Sequence, residues 1–372
     1  MKRKFLALAL SLVMATGLVA CGNSGDSEKS GGASDKKANL KVGMVTDSGT
    51  IDDKSFNQGT WEGIVQAEEE LGVSKKYLQP GGEKPADYLK EISNHYEAGN
   101  KFIVAPGYKL ETAIFEAQDK YEDAKFVILD GNPHSGEKDA KPVVKPNTVS
   151  IFFAEHESGF LAGVASAVQM KEANFGFIGG MKIPAVQKFN WGFQQGVKYA
   201  NENLGTKIKI DKSNVVYEGT FNTSSAGQQI AAKMYDNGVD VIFTAAGGTG
   251  VGAITEAKAR AQKGEKAWVI GVDVDQYSEG LYKDKDGNEK SVILTSATKN
   301  IKKSTFDMIK AELDGKFPGG QTLIYDAKND GVGLPEKNPN LSEESIKAYK
   351  EAYDKIKSGE IKVSAEQGSL IE

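Results

Sequence analysis

From residue 40 onward, short apolar runs alternate with longer segments whose apolar positions recur every three or four residues. The first runs are KVGMVTD (41 to 47), KFIVAPG (101 to 107), KFVILDG (125 to 131) and NTVSIFF (147 to 153). A second series follows: NFGFIGG (174 to 180), NVVYEGTF (214 to 221), DVIFTAAGG (240 to 248), WVIGVDVD (268 to 275) and SVILTSAT (291 to 298). Between them, segments such as ETAIFEAQDKYED and GAITEAKARAQKG carry the helical period. Nearly continuous apolar strands separated by helices predict parallel sheets covered on both faces. The series restarts near residue 174, which predicts two doubly wound α/β lobes rather than one large sheet.

The restart has an internal register. With Gly43 set on Gly176, an offset of 176 − 43 = 133, GMVTD falls on GFIGG, Phe56 on Phe189, Asn57 on Asn190, Gly59 on Gly192 and Gly63 on Gly196. Both halves thus carry a strand, a loop and F-N-x-G-x-x-x-G. Duplication explains the match and places Phe56 and Phe189 on opposite walls of one cleft, since ligands of open α/β sheets sit beyond the carboxyl ends of the strands. The glycines also have a plainer use, letting the first helix of each lobe pack closely.

The flanks change the picture outside this body. MKRKFLALALSLVMATGLVAC joins a basic start to an apolar run too short to span a membrane with ease, the pattern of a secretory signal peptide over residues 1 to 20. It ends Leu18-Val19-Ala20-Cys21, similar to a bacterial lipobox, so Cys21 is the expected site of lipidation and the only membrane attachment. Residues 21 to 39, rich in Gly, Ser, Asp and Lys, read as a flexible tether. As the one cysteine in the chain, Cys21 leaves no internal disulfide or thiolate cluster.

Formal charge is 46 − 51 = −5, and 43 − 51 = −8 once residues 1 to 20 and their three cations are removed. That balance and the extracytoplasmic address argue against nucleic-acid binding. The tail from residue 317 holds a helix capped by Ser342, with Glu343 and Glu344 in its first turn.

Enzyme signatures are missing. The three histidines, His95, His134 and His156, form no H-E-x-x-H pair, and neither a G-x-S-x-G elbow nor a phosphate loop occurs. GGTGVG at 247 to 252 has the wrong spacing for a dinucleotide loop; its backbone N–H groups, at a helix start, suit a polar ligand. DKDGNEKSVILT (284 to 295) begins like a calcium loop, but Glu289 stands where glycine is required, so a β-turn at Asp286-Gly287 is the better reading. No metal and no cofactor is expected.

Polar residues remain at strand ends: Asp47, Asp130, Asp273 and Lys299. A carboxylate accepts two hydrogen bonds from neighbouring hydroxyls, so Asp273 suits a sugar diol, while aromatic faces suit a flat heterocycle. DDKSFNQG, HESGFLAG and AGGTG, followed by WVIGVDVDQ, resemble the basic membrane protein family of bacterial lipoproteins, the purine-nucleoside-binding components of ABC importers. The resemblance covers the whole chain and implies a type I periplasmic-binding-protein fold, with lobe 1 over 40–155 plus about 300–325 and lobe 2 over 156–299 plus about 326–372.

It further implies that Phe56 and an aromatic from the second lobe sandwich the base, that Asp47, Asn57 and Asp130 address the base or nearby hydroxyls, and that Gly247, Asp273 and Lys299 hold the ribose. Phe189 is the second aromatic chosen by the internal register, with Trp191 two residues on as the alternative. The implied partners are a nucleoside and an ABC permease with its ATPase, and the implied state is a monomer that performs no chemistry. The rival readings are a sugar or other small-molecule receptor, a surface nucleoside hydrolase, and a ligand-responsive repressor, which would need a DNA-reading helix pair where this chain has its signal peptide. Residues 131 to 147 form a longer and more basic loop than the family leads one to expect, and His156 reads as a structural residue at a helix start.

Overall fold

A computed structural model describes residues 39–372. The signal peptide, Cys21 and nearly all of the tether lie outside the described residues. The chain runs β1 (Lys41–Val45), α1 (Phe56–Leu71), β2 (Ser74–Leu78), α2 (Pro85–Glu97), β3 (Phe102–Pro106), α3 (Glu111–Lys120), β4 (Lys125–Leu129) and β5 (Thr148–Phe153). It repeats the plan with α4 (Glu155–Met170), β6 (Glu172–Gly179), α5 (Pro184–Asn203), β7 (Lys207–Tyr217), α6 (Ser224–Asp236), β8 (Val241–Ala245), α7 (Gly247–Gln262) and β9 (Trp268–Asp273). There follow β10 (Leu281–Lys283), β11 (Glu289–Ser291), β12 (Ile293–Lys299), α8 (Ile301–Leu313), β13 (Thr322–Tyr325), β14 (Val332–Gly333) and α9 (Glu343–Ser358).

Two six-stranded sheets result, ordered β13-β5-β4-β3-β1-β2 and β14-β12-β9-β8-β6-β7. Every pairing within them is parallel except β12 with β14. Alternation along the strands covers both faces. Phe102 and Val104 of β3 face Ile64, Ala67 and Ile309 of α1 and α8, whereas Ile103 and Ala105 face Tyr88, Ile92 and Ile114 of α2 and α3. In the second lobe Phe175 and Phe177 pack with Phe189 and Phe193 of α5, and Ile178 packs with Met234 and Ile254 of α6 and α7. Burying about 25 cal/mol per Å² on both faces of each sheet is the main source of stability.

The chain passes between the sheets three times, at Ala154, at Asn300 and through residues 326 to 331 between β13 and β14. As a result α4, which follows a strand of the first sheet, packs on α5, and α8, which follows a strand of the second, packs on α1. The repeated glycines serve these exchanged helices. A Cβ on Gly63 would stand 2.5 Å from the Lys302 carbonyl oxygen, and Cβ atoms on Gly192 and Gly196 would stand 1.9 and 2.1 Å from those of His156 and Phe160. The plainer reading of the glycine register is therefore the structural one: it marks two close helix crossings.

The turn at 284–288 closes β10 on β11 with Gly287 at φ 83° and the Asp284 carboxylate accepting from Asp286 N and Asn288 N. Ser342 Oγ accepts from Ser345 N at 3.2 Å at the start of α9.

Candidate functional site

Strand order reverses between β1 and β3 in one sheet and between β6 and β8 in the other, the places where open α/β sheets leave a crevice. A cavity of about 660 Å³ lies there, bordered by strand ends of both lobes. That is room for a small organic ligand, whose pockets span roughly 300–1,000 Å³.

The β1–α1 loop builds the first wall. Asp53 caps α1: its carboxylate accepts from Ser55 N and Asn57 N at 2.9 Å and from Gln58 N at 3.0 Å, satisfying donors the helix start leaves free. Asn57 Nδ2 donates to both Asp53 Oδ2 and Asp47 Oδ1 at 2.8 Å, and Gly49 N donates to Asp47 Oδ1 at 2.9 Å. Asp47 and Asn57 are thus one locked unit at the cavity edge. Burial raises the proton affinity of both carboxyls, against the pull of these hydrogen bonds.

Lys299 is the centre of charge. Its side chain is 3% exposed and its Nζ pairs with Asp130, stands 3.2 Å from Glu155 Oε1 and 4.0 Å from Asp273 Oδ1. Burial acts to lower its pKa, but the carboxylates of Asp130, Glu155 and Asp273 outweigh it and hold the ammonium charged. Burial pushes Glu155 up to about 7 and Asp273 up to about 6, in each case against the attraction of Lys299. Asp130 and Asp273 close β4 and β9 in left-handed backbone, at φ 54° and 64°, a conformation that costs a non-glycine residue roughly 1–3 kcal/mol and aims each carboxyl off its sheet. Among the described residues, Asp130 Oδ1 and Glu155 Oε2 are buried without a hydrogen-bond partner, although Lys188 Nζ lies 3.6 Å from Glu155 Oε2. Both residues border the cavity, while these two oxygens themselves are shielded from it.

Aromatic rings surround the same ammonium. Lys299 Nζ lies 5.0 Å from the ring centre of Phe56, 5.3 Å from Phe153 and 5.5 Å from Phe189. Phe56 is the first residue of α1 and half-buried. Phe189 reaches the cavity but is only 2% exposed and sits edge-on against Phe243, so its ring is part of the lobe 2 floor. Phe221, half-buried in the β7–α6 connection, packs against Gly180 and Gly247 and gives the second lobe a more open aromatic wall.

Residues 40–367 match the family described as ABC transporter substrate-binding protein PnrA-like, or Bmp. The chain belongs to the Bmp family. Similar relatives include a CD4+ T-cell-stimulating antigen of Listeria innocua, 38% identical over 98% of this chain and 99% of its own. The ABC transporter nucleoside-binding protein BmpA of Lactococcus lactis is 34% identical over 95% and 98%. A solved ABC transporter solute-binding protein from Aeropyrum pernix superposes with a TM-score of 0.72 over 88% of this chain and 94% of its own, at 24% identity. The two-lobed α/β fold and a substrate-binding role within an ABC transporter follow, and this Bmp protein is not an enzyme.

Of the residues the sequence of this Bmp protein singled out, Asp47, Phe56, Asn57, Asp130, Phe189, Gly247, Asp273 and Lys299 border the cavity. Trp191 does not: two residues along a helix turn the side chain by about 200°, which carries it away from the face that holds Phe189. Gly247 starts α7 at φ 52°, with Phe221 against it. His156 stays outside the cavity wall, its pKa pushed down to about 4 by burial and by Lys188. Sequence reasoning passed over Asp53, Glu155, Lys188 and Phe221. Asp53 lies in the polar loop before α1 and Glu155 is an ordinary first-turn acid; Phe221, last residue of the run NVVYEGTF, could have been found as an aromatic just beyond a strand.

Proposed function

We propose that this protein captures a nucleoside, with a purine base, between its lobes and hands it to an ABC permease driven by a cytoplasmic ATPase. It does so as a monomer held outside the cytoplasmic membrane by a lipid on Cys21. The observation that carries the reading is one cavity in which aromatic side chains, Phe56, Phe189 and Phe221, adjoin a buried charged cluster of Asp130, Glu155, Asp273 and Lys299. A base stacks on the first, and ribose hydroxyls donate to the carboxylates of the second. Asp47 and Asn57, with Gly247 opposite, complete the polar edge. The name of the lactococcal relative supports the ligand class.

Calorimetric titration of ligand-stripped protein with adenosine, guanosine, inosine, uridine and ribose tests it. Purine nucleosides bind most tightly and ribose weakly; tight binding of ribose alone makes the site a sugar receptor instead.

A further inference from the structure

Lobe 2 grips the β1–α1 loop of lobe 1 at defined atoms. Ser55 Oγ donates to Asp273 Oδ2, Asn222 Nδ2 donates to the Ser48 carbonyl at 3.2 Å, and Gln276 Nε2 donates to the Lys54 carbonyl at 2.6 Å. Gln276 is the most firmly held of these lobe 2 groups. It is 2% exposed, its Oε1 accepts from Val272 N at 3.0 Å, and its own N donates to Ser296 Oγ at 3.1 Å. Because Val272 offers a donor and Lys54 an acceptor, only one orientation of the amide satisfies both. A Cβ on Gly271 would stand 2.7 Å from Gln276 Oε1, so the strand is kept bare where the amide lies.

The residue it reaches is unusual. Lys54 is left-handed, at φ 61°, and is followed directly by Ser55, Phe56 and Asn57. Such backbone persists where surrounding contacts over-determine it, and here the contacts come from both lobes. Lys54 N donates to Gln58 Oε1 within lobe 1, and its ammonium lies 3.6 Å from Glu279 of lobe 2.

We propose that Gln276 is a positioning residue for ligand capture: its amide, fixed in lobe 2, docks the Lys54 carbonyl of lobe 1 and ties the segment bearing Phe56 and Asn57 to the closed arrangement. This rests on the reading of a ligand held between the lobes. The contact is made only when the lobes meet, so it acts on opening and hence on ligand release rather than on encounter.

Gln276→Glu isolates the bond between lobes, since a carboxylate keeps the acceptor for Val272 N and loses the donor to Lys54. At pH 8 the inosine off-rate of the variant rises roughly tenfold or more with the on-rate little changed, while the thermal midpoint falls because the new carboxylate is buried without a partner charge. Lowering the pH to 5 protonates the new carboxyl and restores a donor, so the off-rate ratio to wild type, taken at each pH because the carboxyls of Asp53, Asp273 and Glu279 stand nearby in both proteins, returns toward one. Gln276→Ala, which loses both bonds, lowers the midpoint and shows no such return. Spin labels on the two lobes of the ligand-free protein report a shift to longer distances in Gln276→Glu. Unchanged off-rate and unchanged distances overturn the proposal. If the wild type binds no nucleoside, the proposed function fails and the distances alone decide for or against the latch.

Discussion

Replacing Lys299 by methionine keeps most of the side chain's volume and removes the cation shared by Asp130, Glu155 and Asp273, leaving Glu155 only Lys188 at 3.6 Å. Stripping the cation from a buried cluster costs about 3–5 kcal/mol, because the remaining carboxylates stay desolvated and repel one another. For a body of this size each kcal/mol moves the melting midpoint by about 1–2 °C, so the variant should melt about 3–10 °C below wild type at pH 8.

The pH dependence has a definite sign. Glu155 at about 7 and Asp273 at about 6 hold protons more tightly folded than unfolded, where their ordinary values are 4.5 and 3.8. Their contribution to stability is therefore greatest below the unfolded values and is lost as pH rises through about 6 and 7. In Lys299→Met both carboxyls lose the attraction that lowers their pKa, so the repulsion appears over a window moved to higher pH; the deficit shrinks at pH 5, and adding Glu155→Gln recovers part of it at pH 8. Calorimetric melting of ligand-free wild type and variants at pH 5 and pH 8 measures both effects. A midpoint within 1 °C of wild type at pH 8, or a deficit larger at pH 5 than at pH 8, refutes the account of the cluster.

Two further outcomes follow. Gly192→Ala drives a Cβ into the His156 carbonyl and should cost about 3 kcal/mol or more in stability, whereas Gly81→Ala, with nothing within 4 Å, should be close to neutral; equal melting of the two contradicts the helix-crossing role of the repeat. Cys21→Ala should move the protein from the membrane fraction to the medium when cells are fractionated, and continued membrane association contradicts the lipid anchor.

What the sequence revealed depended on burial. The runs at β1, β3, β4 and β5, and at β6, β8, β9 and β12, are apolar because both faces of those strands are covered, and they stand out at once. The edge strand β2, SKKYL, alternates weakly and is largely exposed, so nothing in its composition announced it. The same holds for β13 and β14, which only join a sheet edge after the chain has changed lobes. The 133-residue register picked out the strand-to-helix plan that both sheets repeat, yet its glycines answer to helix packing, and its second phenylalanine lies a turn and a half inside α5 where Phe56 begins α1. Identical spacing thus met a helix that starts five residues earlier at Pro184, and Phe189 sank into the floor while Phe221 took the open wall. Strand-end acids were readable because strand ends converge on the cleft; Glu155 was not, because a glutamate at a helix start has an ordinary use at the dipole.

The central claim is that a nucleobase stacks on Phe56 while its ribose meets the charged cluster. Calorimetric titration of inosine into wild type and Phe56→Ala tests it most directly. Stacking contributes roughly 1–3 kcal/mol per base, so affinity should fall between about fivefold and 150-fold, with the variant still folded. Equal inosine affinity in the two proteins contradicts the claim.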